Sequence, residues 1–159
     1  LLALAQEMQA AQVDEIVIAD TIGSATPGRV RDCLKVLGRT IPINQLAMHL
    51  HDTRGLANAN AWAALEAGIR RFDASTGGLG GCPFAPGAAG NLATEDLVLM
   101  AQGSGFHTNI DIGGLLEVIE FAQRKIDCPL GGRSYSWLAL QKHKSDLGPR
   151  GLSQVPSDS

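Results

Sequence analysis

Aromatic side chains are scarce, at 4% of the 159 residues. Positive charge is also short: 13 Lys and Arg stand against 16 Asp and Glu, for a formal net charge of −3. That balance leaves no basic footprint for nucleic acid, which is excluded as an expected partner. No apolar run approaches the roughly 20 residues of a membrane span, so no membrane partner is expected either. The three cysteines, Cys33, Cys82 and Cys128, are far apart and form no CxxC pair. An odd, scattered set argues against a disulfide framework or a zinc ribbon and suits a reducing, intracellular setting. The first residue is Leu1, with no charged leader ahead of the first apolar stretch. The chain is therefore expected to be a piece of a longer protein. A cytoplasmic location is expected, with the mitochondrial matrix open because targeting information would lie upstream.

What is present is ordinary for one globular domain: 45% hydrophobic and 18% charged residues. Leu1, Leu4, Ala5, Met8 and Ala11 recur at helical spacing. The β-branched run 15–20 predicts a buried strand ending in Asp20. Thr26-Pro27 reads as an N-cap followed by Pro at the first helical position, opening a helix that carries Val30, Leu34 and Leu37 and stops near Gly38. A second strand is predicted over 45–51. A helix follows over 58–67, with Trp62 and Leu65 as expected core contacts. Residues 71–75 form a third predicted strand, and a glycine-rich segment runs from Gly77 to Gly90. Thr94 is expected to cap a helix whose first turn holds Glu95 and Asp96, where carboxylates suit the dipole. Asp111 is expected to cap a last long helix with Leu115, Ile119, Ala122 and Ile126 on one face. From Cys128 the pattern dissolves. Residues 1–127 are thus expected to form the domain and 128–159 a weakly ordered tail.

Helix and strand alternate with short loops, which predicts βα units on a parallel sheet. Polar residues collect at the C-terminal ends of the strands: Asp20, then His49 and His51, then the Gly77–Gly90 loop. In barrels and open α/β sheets that edge carries the chemistry. His49 and His51 lie two apart at a strand end and so share a face, as half of a metal site or as a pair of satisfied histidines. Asn91 offers either an N-cap or a hard amide oxygen for a divalent cation. Two nitrogens and an oxygen suit Mg²⁺ or Mn²⁺ more than structural zinc, and a further carboxylate ligand is missing. Asp20 could hold a ligand histidine from behind. Cys82, beside Pro83 in the glycine-rich segment, reads as a thiol on an active-site lid rather than a buried small hydrophobe. Cys33 and Cys128 read as structural. The glycine segment lacks the register of a nucleotide loop.

Three runs carry a family resemblance: Ala19-Asp20-Thr21-Ile22-Gly23 with Thr26-Pro27-Gly28; His49-x-His51-Asp52-Thr53-x-Gly55; and Gly78-Leu79-Gly80-Gly81-Cys82-Pro83 with Gly90-Asn91-x-Ala93-Thr94-Glu95-Asp96. Together they resemble 3-hydroxy-3-methylglutaryl-CoA lyase over about residues 1 to 125. The resemblance implies an α/β fold, the C-terminal part (about strands six to eight) of a (β/α)₈ TIM barrel binding one divalent cation, Mg or Mn. It implies His49, His51 and Asn91 as metal ligands, and Cys82 as the catalytic thiol. Asp20 and Glu95 would be further active-site carboxylates, and Thr21, Gly80 and Gly81 would contact an acyl-CoA substrate.

The resemblance also implies what these residues lack. The family's first strand carries an Asp-Arg-Glu-type motif, which supplies a metal-ligand Asp and an Arg. The missing N-terminal half of the barrel is thus an expected partner, a homodimer is open, and the 159 residues alone are expected to be inactive. The implied reaction is metal-dependent cleavage of the substrate's C2–C3 bond to acetoacetate and acetyl-CoA. Related synthases that condense acetyl-CoA with 2-oxo acids share the His-x-His and Gly-Asn pairs, but usually lack Gly-Gly-Cys-Pro. Two other readings are a metal-dependent hydrolase barrel, whose paired histidines normally come early, and an inactive interaction fragment.

Overall fold

The computed structural model describes residues 1–80 and 90–147, with side chains as far as 144. Three parallel strands lie side by side in chain order: β1 (Ile16–Asp20), β2 (Leu46–Leu50) and β3 (Phe72–Asp73). Helices precede and separate them: α1 (Leu2–Ala10), α2 (Pro27–Leu37) and α3 (Ala57–Glu66). Three more helices follow, α4 (Thr94–Gly103), α5 (Ile112–Ile126) and α6 (Tyr135–Leu147). Ala19 pairs with His49 between β1 and β2, and His49 with Asp73 between β2 and β3.

Two-residue alternation decides which face is covered. Ile16 and Ile18 of β1, and Leu46, Met48 and Leu50 of β2, join Val30, Leu34, Ala57, Ala61 and Ala64 in one apolar cluster. Val17 and Ala19 point the other way and are exposed. Burying each large aliphatic side chain contributes about 1.5–3 kcal/mol, which pins the register, since a one-residue slip would turn the whole set outward. The polar positions of the opposite face, His49 and Asp73, are fixed by the same choice. Among the described residues, no helix is long and apolar enough to cross a membrane.

Several expected details hold. Thr26 accepts a hydrogen bond from the Arg29 N–H at 3.4 Å, with Pro27 opening α2. Asp111 caps α5 through the N–H groups of Gly113 and Gly114.

Others are corrected. Trp62 is 36% exposed rather than a core contact, because the buried stripe of α3 runs through Ala57, Asn60, Ala61 and Ala64. Thr94 does not cap α4; Ala93 holds that position and no side chain caps the helix. On α5 the buried residues are Leu116 and Ile119, while Ile126 is 44% exposed.

The largest correction concerns 128–147, which were expected to be weakly ordered. Residues 128–134 dock on the domain and α6 follows, with Leu138 packed into a second small core with Leu116 and Ile119. Lys142 donates to Glu117 at 2.8 Å. The pattern concealed this helix because its apolar residues do not form one stripe: Leu138 is buried, while Trp137 and Leu140 are exposed.

Candidate metal centre

His49 is the fourth residue of β2, and His51 lies just past its end. Their rings meet edge to face, with centroids 4.8 Å apart and planes at 76°. Each ring is held by one nitrogen. His51 Nδ1 lies 3.1 Å from the Asp20 carbonyl oxygen. A carbonyl can only accept, so Nδ1 carries the proton and Nε2 keeps its lone pair. His49 Nδ1 meets a carboxylate oxygen of Asp73, which by the same reasoning protonates Nδ1 and frees Nε2. Asp20 thus meets a histidine of the pair through its main chain. Its carboxylate instead accepts from the Ser24 and Ala25 N–H groups at 2.9 and 3.0 Å, shaping the turn after β1. Asn60, buried in α3, donates to the Ala25 carbonyl and ties that turn to the helix.

Asn91 comes to the histidines by strand pairing, not as a helix cap. Residues 90–92 lie antiparallel to the end of β2: Leu92 N–H donates to the Leu50 carbonyl at 2.8 Å, and Asp52 N–H to the Gly90 carbonyl at 3.1 Å. This sets Asn91 opposite His51. The Asn91 Nδ2 donates to the Leu79 carbonyl at 3.0 Å, which fixes which way the amide faces. Its Oδ1 is buried and has no partner among the described residues. An orphaned amide oxygen is costly to bury, and a cation would satisfy it. Two free imidazole nitrogens and one oxygen at a strand end fit a divalent metal of the Mg or Mn type. Among the described residues no three His, Cys, Asp or Glu side chains form a metal cluster, so the donor set there is mixed, with an amide as its third member.

Gly80 sits against Asn91: it has φ +106°, and an added Cβ would lie 2.7 Å from Asn91 Nδ2. Thr21 is exposed at the exit of β1. Gly81 and Cys82 lie outside the described residues. Cys33 is half-buried in α2, where burial pushes its thiol up, and Cys128 is exposed.

Glu95 is placed differently from the expectation. It is 0% exposed, and its two oxygens accept from Gly77 N–H at 3.1 Å and Gly132 N–H at 2.6 Å. With both oxygens bound to main chain, it links the Gly77 turn to Gly132. Asp96 does the same for the next residues, accepting from the N–H groups of Arg133 and Ser134 at 2.9 and 2.8 Å and from the Ser134 hydroxyl. Arg133 then reaches Asp52 at 3.1 Å. This clasp, which the sequence reading missed, borders a cavity of about 490 Å³ that includes Asp52, Asn58, Asn91, Arg133 and Ser134 in its lining. Its only sequence signal is the Gly131-Gly132-Arg133-Ser134 run, a tight turn followed by polar residues.

Parallel βα units with polar groups at the strand exits define the chain as an arc of an α/β barrel with a candidate metal centre. The HMGL-like family model matches residues 1–122, and the chain belongs to that family. It is 46% identical over 122 residues to the hydroxymethylglutaryl-CoA lyase YngG of Bacillus subtilis, a match over 77% of this chain and 41% of that protein. The crystal structure of the Bacillus subtilis HMG-CoA lyase superposes with a TM-score of 0.83 at 41% identity, covering 87% of this chain and 46% of that one. An Acinetobacter baumannii HMG-CoA lyase, solved with coenzyme A and 3-methylmalate, gives a TM-score of 0.78 at 35% identity, covering 98% and 48%. The chain thus spans less than half the length of these relatives, and the fold is part of their TIM barrel.

Proposed function

We propose that this chain is the metal-binding wall of a carbon–carbon lyase that cleaves 3-hydroxy-3-methylglutaryl-CoA to acetoacetate and acetyl-CoA. The observation that carries the reading is the donor set at the end of β2. Among the described residues, Nε2 of His49, Nε2 of His51 and Oδ1 of Asn91 are each left free while the other polar atom of the same side chain is hydrogen-bonded. These residues would hold a divalent cation, Mg²⁺ or Mn²⁺. When bound, it supplies Lewis-acid polarisation and a template for the substrate's oxygens.

The chain's own residues divide the remaining work. Asp20 keeps His51 in one tautomer through its carbonyl, and its carboxylate sets the turn that presents Thr21. Thr21, Gly80 and Gly81 contact the acyl-CoA. Cys82 exchanges a proton with the acetyl carbon once the C2–C3 bond has broken. Support for Cys82 comes from its place between Gly80 and Gly90, since Gly80 abuts Asn91 and Gly90 pairs beside His51. Glu95 contributes by bracing Gly77 and Gly132. The remaining barrel strands supply the missing carboxylate ligand and the Arg, so the 159 residues by themselves are inactive.

The test is Cys82→Ser in the complete barrel protein. Turnover of hydroxymethylglutaryl-CoA should fall by at least about 10²-fold, the scale of a lost proton-transfer group, while Mn²⁺ binding persists. Unchanged turnover would remove Cys82 from the chemistry.

A further inference from the structure

His49 and His51 are held in different ways. The Asp20 carbonyl that fixes His51 is main chain and survives any substitution at that position. His49 depends on one side chain: Asp73, its register partner on β3, which meets Nδ1. No other hydrogen bond to the His49 ring occurs among the described residues. Among the described residues, His49 is the side chain that the Asp73 carboxylate meets. The carboxylate's effect falls on the ring. An ionised carboxylate accepts and never donates. It holds the proton on Nδ1 and orients the ring, as carboxylate–histidine pairs do at metal centres.

We propose that Asp73 is a positioning residue of the site, which sets the tautomer and direction of His49 so that its Nε2 joins Nε2 of His51 and Oδ1 of Asn91 on one divalent cation. The proposal rests on the metal reading above. Asp73 acts through His49 and does not itself ligate.

Two measurements on the complete barrel protein test it: Mn²⁺ titration, and long-range ¹H–¹⁵N spectra of the metal-free histidines. In the unmodified protein both rings should show a protonated Nδ1 and a bare Nε2. Asp73→Asn, an isostere, can donate as well as accept. It should release His49 into a tautomer mixture, leave the His51 signals unchanged, and weaken Mn²⁺ binding about 10–100-fold. Asp73→Glu, which restores the carboxylate, should recover part of the affinity and the single tautomer. If Asp73→Asn keeps the His49 tautomer or the original Mn²⁺ affinity, the proposal is overturned. The same holds if the His51 signals change equally, since the effect is then not specific to His49. If the unmodified protein binds no Mn²⁺, the metal reading fails and the proposal goes with it, a result distinguishable because it appears before any substitution.

Discussion

The strand-end site and the C-terminal clasp are built from similar polar groups and treat them in opposite ways. In the clasp, every carboxylate oxygen of Glu95 and Asp96 accepts from an N–H or hydroxyl group. In the site, among the described residues, His49, His51 and Asn91 each have one polar atom bound and one left over, and the buried Asn91 oxygen has no partner there. A fully satisfied buried network stabilises, and a half-satisfied one costs free energy. Between these two places the difference lies in how far the polar groups are satisfied and not in their residue type. By type alone Glu95 was the better candidate for chemistry and Asp73 was no candidate.

The contrast breaks most visibly at Asp96. Replacing it with Ala removes three hydrogen bonds from a residue 8% exposed and orphans two N–H groups. Bonds to a charged acceptor are each worth about 1.5–3 kcal/mol and do not add fully. A loss of about 3 kcal/mol is expected in urea unfolding, with residual Mn²⁺ affinity near normal in the folded fraction. Asn91→Ala should do the reverse. It deletes the unpaired oxygen along with one hydrogen bond to Leu79, so unfolding of the metal-free protein should shift by no more than about 1 kcal/mol. Mn²⁺ affinity should fall by about 10²-fold, which is about 2.7 kcal/mol. If the two variants exchange these signatures, the division of labour is wrong.

Which parts were legible in the sequence follows from the range of the interaction. His49-x-His51 reads directly, because alternation along one strand places both rings on one face. The caps at Thr26 and Asp111 read because donor and acceptor lie within three residues. Asp73 does not read, since its partner is 24 positions away and the pairing depends on parallel register. The Asn91 position has the same cause, an antiparallel bridge to His51. Trp62 was expected in the core, but α3 buries the stripe through Ala57, Asn60, Ala61 and Ala64, and the indole lies off it. The clasp's links from Glu95 and Asp96 to 132–134 span 37 residues or more, with no periodicity to betray them.

The smallest effect sharpens the picture of the clasp itself. Arg133 contributes both a backbone N–H, held by Asp96, and a guanidinium, paired with Asp52. Its side chain is 69% exposed in that pair and Asp52 is 22% exposed, so solvent screening reduces the contribution to about 0.5 kcal/mol. Asp52 also keeps its other task, accepting from the Ala57 N–H at 2.9 Å at the start of α3. Arg133→Ala leaves both main-chain links intact and should cost about 0.5 kcal/mol in urea unfolding. A loss above about 2 kcal/mol would mean that the guanidinium, and not the backbone grip of Asp96, fastens residues 131–134 to the domain.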